Sequence, residues 1–154
     1  VIVNPGVIFG YGFPRKGSDV IIQSVKNGLS FYTKGNIGIV SVDDVTNCMI
    51  QLVKSTISGE RYILVGENVI LKDFITYLAT LLNIKPPTIY ASKTMTSIAW
   101  RLDWLIAKIT NRKRKLTRAT AKASHSVHIY DTSKIVTALN YSFQKKETYL
   151  TKII

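Results

Sequence analysis

Apolar residues recur at helical spacing in two long stretches of the chain. The first stretch has them at positions 71, 74, 75, 78, 81 and 82, and the second at 95, 98, 99, 102, 105, 106 and 109. Steps of three and four residues keep side chains on one face of an α-helix. The pattern therefore predicts two amphipathic helices, with Pro86 and Pro87 following the first because proline cannot continue a helix.

Short apolar runs rich in β-branched residues predict strands. "VIVN" (1–4) predicts a buried strand, and "RYILVG" (61–66) and "TIYA" (88–91) predict two more. "LSFYTKGNIGIVSV" (29–42) predicts a β-hairpin with Gly35 and Asn36 at its turn.

Capping residues predict the remaining helices. One helix is predicted to begin at Ser18 and to end at Gly28. The next is predicted to begin at Asp43 and Asp44 and to run to about Ser55. These two carboxylates suit the positive end of a helix, so we expect structural caps rather than catalytic acids. Further short helices are predicted over 117–124, capped by Thr117, within the segment 130–140, from its cap at Asp131 to Asn140, and around Tyr149, Leu150 and Ile153. Strands alternating with helices imply an α/β domain.

Composition indicates one globular domain. The chain has 154 residues, of which 46% are hydrophobic and 19% charged. Its one cysteine, Cys48, lies among apolar residues and is read as a buried thiol rather than a nucleophile. This cysteine usage fits a reducing compartment, and we expect a cytoplasmic location. No apolar run reaches the roughly 20 residues that span a bilayer.

Positive charge is concentrated in one place. The net charge is +12, and six of the 21 basic residues lie between Lys108 and Arg118. No nucleic-acid-binding motif accompanies them, so nucleic acid is not an expected partner. Trp100 and Trp104 precede this stretch and are interpreted as core or interface residues. The alternative is an amphipathic helix that lies on an anionic membrane or polyanion, with Arg112–Lys115 supplying charge.

The glycines of "PGVIFGYGFPRKG" (5–17) suggest a phosphate-binding loop, but their spacing argues against one. A dinucleotide fingerprint needs G-x-G-x-x-G followed at once by a helix, with an acidic residue about 20 positions later. Here the spacings between glycines are four and two, the helix begins only near Ser18, and Lys26 occupies the acidic position. The segment is therefore predicted to be a long loop.

Several segments together resemble a known family. "VNPGVIFGYG", "GLSFYTKGNIGIVSVDDVTNCMIQLV" and "GERYILVGENVILKDFITYLATLLNIKPP" look like extended short-chain dehydrogenase/reductases. More narrowly, they resemble the dihydroflavonol-reductase-like members of the NAD(P)-dependent epimerase/dehydratase family. "IAWRLDWL", "LTRATA" and "YDTSKIVTALNYSF" also fit the C-terminal region of that family.

The resemblance implies that residues 1–154 are a single α/β unit. It would be the C-terminal portion of a Rossmann-type fold plus a mainly helical substrate-binding subdomain. Pro5, Gly6 and Val7 would contact the nicotinamide carboxamide of NAD or NADP through their backbone. Tyr11, Phe13 and Arg15 would face or flank a small-molecule substrate, although the family often has proline where Tyr11 stands.

The catalytic and cofactor motifs of that family are absent from this sequence. There is no G-x-x-G-x-x-G loop, and only Tyr130/Lys134 and Tyr141/Lys145 fit Tyr-x-x-x-Lys by letter. Neither tyrosine is predicted to lie within a helix beside a nicotinamide, where lysine would lower its pKa. We therefore predict no catalytic residue in this chain. A metal site is also not expected, because His125 and His128 lack further ligands nearby.

The sequence thus predicts a fragment of an NAD(P)-dependent reductase or epimerase. Alone, it is expected to be inactive and to bind no cofactor. Because half a Rossmann sheet would leave an open parallel edge, we also expect self-association. The alternative is a non-enzymatic module that binds an anionic membrane or polyanion through its basic, tryptophan-edged helix.

Overall fold

A computed structural model describes residues 1–11, 17–114 and 116–154 of the chain. These residues form seven strands and seven helices, with strands and helices interleaved up to α4 and only helices after it. The strands are β1 (Ile2–Pro5), β2 (Val7–Phe9), β3 (Phe31–Tyr32), β4 (Asn36–Ser41), β5 (Arg61–Leu64), β6 (Glu67–Ile70) and β7 (Ile89–Tyr90). The helices are α1 (Asp19–Lys26), α2 (Val42–Lys54), α3 (Leu71–Leu81), α4 (Lys93–Thr110), α5 (Arg118–Ala123), α6 (Ser133–Leu139) and α7 (Lys146–Ile153).

Parallel pairing dominates the sheets, which confirms the α/β prediction. β1 pairs with β5, β2 with β4 and β3 with β7, all in parallel, and only β6 is antiparallel, against β4. Parallel strands need crossover connections, and α1, α2 and α3 occupy those connections. The described residues therefore form part of a Rossmann-like fold.

The chain changes pairing partners at two glycines. β1 and β2 are separated only by Gly6, and β5 and β6 only by Val65 and Gly66. Before Gly6 and Gly66, β1 and β5 pair with each other. After these glycines, β2 and β6 each pair with β4. The amide of Gly66 donates to the Ile39 carbonyl at 2.8 Å, which carries the hydrogen bonding across the change.

Two clusters of buried side chains form the core. One contains Phe9, Ile39 and Leu78, and Leu150 of α7 packs against them. The other surrounds Val40, Leu64 and Cys48 and is closed by Ile135 of α6. Because Ile39 and Val40 are neighbours on β4, their side chains point to opposite faces of the sheet. The last two helices therefore cover different faces.

Capping chemistry explains where several helices begin and end. The N-cap of α2 is Ser41, whose side chain accepts from the Asp44 amide, and Thr117 and Thr120 form a reciprocal capping box on α5. Gly28 follows α1 with φ of +76°, a conformation that glycine adopts without strain. The helices predicted from Ser18, Asp43, Leu71, Thr117 and Asp131 are confirmed within a few residues.

The predicted hairpin over 29–42 is wrong. Its two strands, β3 and β4, do not pair with each other, because β3 pairs with β7 and β4 lies between β2 and β6. Gly35 lies between them and Asn36 begins β4, but the amides of these two residues donate to the carbonyls of Ser124 and Ser126, at 3.1 and 3.0 Å. A contact with a distant segment thus replaces the expected turn.

Three other strand predictions need correction. The predicted loop over 5–17 contains β2, because Val7–Phe9 pairs with β4. β1 is a strand as predicted, but it is largely exposed rather than buried, because β5 is its single partner among the described residues. β6 was not predicted, since its four residues "ENVI" are too short and mixed to show a clear pattern.

The close packing at Gly6 leads to a stability prediction. A Cβ atom at Gly6 would lie 2.5 Å from the Gly38 carbonyl oxygen, which is backbone and cannot move aside. We expect Gly6→Ala to lower the free energy of unfolding by roughly 1–3 kcal/mol, as overpacking does. Urea denaturation followed by circular dichroism measures the change.

Gly66→Ala is the matched control, because a Cβ there meets its nearest atom at 3.4 Å. It should leave the unfolding free energy nearly unchanged or slightly raise it, since alanine restricts the unfolded chain. Equal destabilisation by both substitutions would contradict this account of the partner change.

Candidate functional site

The Pro5–Val7 segment lies where the strand changes partners. Gly6 still follows the β1 register, because its amide donates to the Leu64 carbonyl at 3.0 Å. Val7 already pairs with Ile39 of β4. The segment is therefore held from both sides by backbone pairing.

Two glycines bring backbone and an aromatic ring unusually close. A Cβ at Gly38 would meet Val65 at 2.8 Å and the Tyr130 ring at 2.9 Å, and a Cβ at Gly6 would meet Gly38 itself. An isolated glycine inside a strand commonly marks such a close approach. Gly38, within "NIGIVS", is the feature of the sequence that marks this approach.

A cavity of about 470 Å³ opens beside these glycines. Pro5, Gly6 and Val7 form one side of it, while Gly38 and Tyr130 form another. The other lining residues are Asn4, Asn36, Ile37, Ile63, Val65, Ala123, Ser126 and His128. At both glycines the position of a Cβ atom is taken up by neighbouring protein atoms, so this part of the wall is tightly packed. The structure thus brings the three predicted cofactor-contacting residues together in one cavity.

Two asparagines hold the segment that contains Tyr130. The Asn36 side chain donates to the His128 carbonyl at 2.8 Å and accepts from the His128 amide at 2.6 Å. The Asn68 side chain makes the same pair of bonds with Tyr130, at 2.9 and 3.0 Å. Each side-chain amide thus bonds both the backbone N–H and the backbone C=O of one residue, as the backbone of a paired strand does. They fix residues 128–130 beside the cavity, a role that the sequence pattern did not reveal.

The predicted substrate residues are only partly described. Tyr11 follows β2, is 60% exposed, and is not among the residues that line the cavity. Phe13 and Arg15 lie outside the described residues. Their assignment to a substrate therefore stays a prediction.

Neither of the two pairs that fit the Tyr-x-x-x-Lys spacing forms a catalytic dyad in the described contacts. Tyr130 reaches the cavity, but the Lys134 ammonium donates to Glu60 at 2.6 Å and lies over the Tyr62 ring. The Tyr141 hydroxyl donates to the Asp44 carboxylate at 2.8 Å. Burial and this hydrogen bond raise the pKa of Tyr141 to about 12. A catalytic tyrosine needs the opposite shift.

Asp44 is a structural residue, as predicted for the carboxylates at this helix start. It is fully buried and accepts hydrogen bonds from the Ser41 hydroxyl, the Tyr141 hydroxyl and the Gln144 amide. The residue that caps α2 is Ser41 rather than either aspartate, and Asp43 is exposed. Asp44 instead ties the start of α2 to the segment that follows α6.

The cysteine and histidines have ordinary surroundings. Cys48 is completely buried, as predicted, and burial together with the charge of Asp44 raises the pKa of its thiol to about 11. The His125 ring lies 2.9 Å from the Thr96 hydroxyl, and burial lowers its pKa. Within residues 1–11, 17–114 and 116–154, no group of three His, Cys, Asp or Glu side chains could hold a metal ion.

Helix α4 confirms the second amphipathic stretch, but its apolar face is uncovered. Six large apolar residues form a stripe along this face, and each is between 43 and 74% exposed: Met95, Ile98, Leu102, Leu105, Ile106 and Ile109. Periodicity revealed the stripe, but it could not reveal what the stripe faces.

The tryptophans and the basic stretch lie along this helix. Trp104 is 46% exposed with the Lys108 ammonium over its ring, whereas Trp100 lines a separate cavity of about 590 Å³. Arg112 pairs with Asp103 at 3.0 Å, and Lys115 lies outside the described residues. No helix in the described part of the chain is long and apolar enough to cross a membrane.

Solved structures share this architecture. A nucleoside-diphosphate-sugar epimerase from Pseudomonas aeruginosa matches 97% of this chain at 20% identity, with a TM-score of 0.73. A human epimerase family protein with NADPH matches 98% of it at 12% identity and a TM-score of 0.66. A dTDP-glucose 4,6-dehydratase from Streptomyces venezuelae, with NAD bound, matches 98% at 16% identity and a TM-score of 0.64.

This chain has part of the fold of the NAD-dependent epimerases and dehydratases. It spans 44, 46 and 41% of the length of those three proteins, which is less than half of each. At these identities the likeness shows the fold alone. Neither the family models nor the curated proteins give a match.

The buried phenol of Tyr141 leads to a pH prediction. Its pKa is about 12 in the folded protein and 10.0 for an ordinary tyrosine, so the folded state keeps a proton that the unfolded state loses between these values. The free energy of unfolding should therefore be unaffected by this group below pH 10 and fall as pH rises from 10 to about 12. Urea denaturation at several pH values measures the slope.

Tyr141→Phe should reduce this alkaline slope. It should not abolish it, because burial also raises the pKa of Tyr149. Tyr11→Phe, at an exposed position, is the control and should leave the slope unchanged. An unaltered slope in Tyr141→Phe would contradict the assigned environment of this hydroxyl.

Proposed function

We propose that this chain is the C-terminal part of an NAD(P)-dependent oxidoreductase of the reductase or epimerase type. The observation that carries the proposal is the cavity of about 470 Å³ that Pro5, Gly6 and Val7 line together with Gly38 and Tyr130. In the proposed enzyme, the Pro5–Val7 backbone lies against the carboxamide end of the nicotinamide ring.

The shape of the sheet also supports this proposal. β1 is largely exposed and has one neighbouring strand among the described residues, β5. In parallel α/β sheets, interior strands are covered and paired on both sides. An N-terminal half carrying the glycine loop and the Tyr-x-x-x-Lys motif would supply the missing neighbour of β1.

On this proposal the chain contributes binding rather than chemistry. The reaction of the intact enzyme is hydride transfer between the nicotinamide and a carbon that bears oxygen. Tyr11, Phe13 and Arg15 would border the substrate. Since the sequence lacks the cofactor loop and the catalytic pair, the chain alone should neither bind a dinucleotide tightly nor turn over substrate.

Nicotinamide mononucleotide tests the cavity directly. At millimolar concentration it should shift the backbone amide resonances of Gly6, Val7 and Gly38 in a two-dimensional nitrogen–proton spectrum. Adenosine monophosphate is the control and should not shift them, because it carries a phosphate and ribose but no nicotinamide.

Two variants of Tyr130 distinguish binding in this cavity from unspecific binding. Tyr130→Phe keeps the ring that lines the cavity, so it should retain the shifts, whereas Tyr130→Ala should weaken them. Absence of shifts at the three amides, or equal shifts with adenosine monophosphate, would refute the nicotinamide assignment. Micromolar binding of NADPH in calorimetry would refute the expectation that the chain alone is incomplete.

A second candidate function rests on the apolar face of α4. We propose that this face and the following basic residues let the chain lie on an anionic membrane. The exposed stripe supplies apolar area, while Lys108, Arg112, Lys113 and Arg114 supply positive charge at one end of the helix. Apolar residues beside such a cluster are typical of interfacial helices.

Co-sedimentation with vesicles that contain phosphatidylserine tests the second function. Binding should fall when Ile98 and Leu102 are replaced by glutamine, and also when Arg112–Lys115 is made neutral. Val53→Gln is the control, because Val53 is 85% exposed on another helix. Retained binding in both test variants would exclude α4 as the membrane contact.

Self-association is a further part of the proposal. The exposed strand β1 and the uncovered face of α4 both offer surface to a second copy. Light scattering at tens of micromolar, in the same buffer as the vesicle experiment, should give a mass above that of one chain. A strictly monomeric mass would exclude self-association under these conditions.

A further inference from the structure

The cavity of about 590 Å³ lies between helices α4 and α5. Each helix lines it with residues spaced three and four positions apart, 93, 96, 97 and 100 on α4 and 118, 121 and 122 on α5. Residues 125–128, which follow α5, form the remaining wall. Small-molecule sites typically enclose roughly 300–1,000 Å³, so this cavity has room for a small ligand.

The charge of this cavity has one sign. Lys93, Arg118 and Lys122 line it, together with the imidazoles of His125 and His128, and no acidic side chain is among its described lining residues. The ion pairs found in the described part of the chain involve none of the three cations. A cleft lined by one sign of charge attracts counter-ions. The protein itself thus leaves this positive charge uncompensated.

The three cations also repel one another. Arg118 and Lys122 are four residues apart on α5, a spacing at which like charges destabilise a helix. Lys93 lines the same cavity from α4. Burial and, second to it, the positive charge of Lys93 lower the pKa of His125, so the field of this lysine acts on the opposite wall. A bound anion would offset this repulsion.

Hydrogen bonds hold the walls of the cavity in place. The His125 ring nitrogen Nε2 lies 2.9 Å from the Thr96 hydroxyl, which joins the segment after α5 to α4. Because the Thr96 hydroxyl donates to the Lys93 carbonyl at 3.1 Å, the ring nitrogen is the donor to Thr96. The Arg101 guanidinium lies 4.7 Å from the centre of the Trp100 ring. The site is therefore formed before any ligand enters.

We propose that this cavity binds the phosphate or diphosphate group of a small molecule through Lys93, Arg118 and Lys122. A carboxylate has one charge and two oxygens, whereas a phosphate group has up to two charges and three acceptor oxygens. A phosphate can therefore accept from both helices at once. Trp100 and Val127 offer apolar surface to the organic part of the ligand.

This proposal does not depend on the proposed oxidoreductase. The cavity shares Ser126 and His128 with the cavity beside Gly6, but its cations belong to α4 and α5. In a two-dimensional nitrogen–proton spectrum, the amides of Ala121 and Lys122 report this cavity, and those of Gly6 and Gly38 report the other. Either proposal can thus fail while the other holds.

Inorganic pyrophosphate is the probe for the test. Calorimetric titration of the chain in low salt should give saturable binding of one ion per chain. Arg118→Gln combined with Lys122→Gln should weaken binding at least roughly tenfold, because two charge-assisted contacts are lost. Lys113→Gln combined with Arg114→Gln is the matched control. It removes the same charge from exposed positions that do not line the cavity, so it should retain the wild-type affinity.

Lys93→Gln tests the contribution of the other helix. It should weaken pyrophosphate roughly three- to tenfold, as the loss of one hydrogen bond does. Lys93 is exposed, so the variant should fold like the wild type. Pyrophosphate should also raise the melting temperature of the wild type, because it binds the folded state, and raise that of the α5 double variant much less.

The His125 imidazole gives a reading of the site that is independent of affinity. Pyrophosphate should raise its pKa, measured from its ring proton resonances, because a nearby anion favours the protonated ring. The other titratable and charged groups that line the cavity are Lys93, Arg118, Lys122 and His128. The α5 double variant should lose this shift, and the control variant should keep it.

Three results would overturn the proposal. Non-saturable pyrophosphate binding, or equal affinity in the two double variants, would show general attraction to a basic protein. An equal change of the His125 pKa in both double variants would show the same. Vesicles that contain phosphatidic acid test a lipid headgroup as the source of the phosphate. If the α5 double variant loses vesicle binding while the wild type does not bind pyrophosphate, the small-molecule assignment is wrong.

Discussion

The close approach of two backbone segments at Gly6 and Gly38 is the constraint on which the rest of this structure depends. The space between them excludes even a methyl group, because a Cβ at Gly6 would lie 2.5 Å from a carbonyl oxygen. This contact lets the first strand leave β5 and join β4 without a loop. Both glycines also line the cavity of about 470 Å³ that lies beside this contact.

One segment contributes to two cavities. Residues 123–128 line parts of the cavity of about 590 Å³ and of the cavity of about 470 Å³ beside Gly6. The amides of Gly35 and Asn36 hold the start of this segment, and the Asn36 side chain holds His128 at its end. Because His128 lines both cavities, a change at Asn36 would affect both of them.

Burial is unevenly distributed over the chain. Two apolar clusters cover the two faces of β4, and they are closed by α6 and α7 from the end of the sequence. Helix α4 belongs to neither cluster and exposes its apolar stripe, as β1 exposes much of its surface. Exposed apolar area of this extent commonly marks a surface that contacts something else. The part of the epimerase fold present here is thus covered on some sides only.

Local sequence determined the helices and the class of fold. Caps such as Thr117, glycine stops such as Gly28 and the spacing in 71–82 act within one or two turns, so they can be read without knowing the fold. The resemblance to epimerases and dehydratases agrees with the fold and also singled out Pro5, Gly6 and Val7, which line one cavity. Tertiary structure alone decided strand pairing, because Gly35 and Asn36 bond to residues almost 90 positions later. It also decided that the apolar face of α4 is uncovered, since burial depends on which distant segments pack nearby.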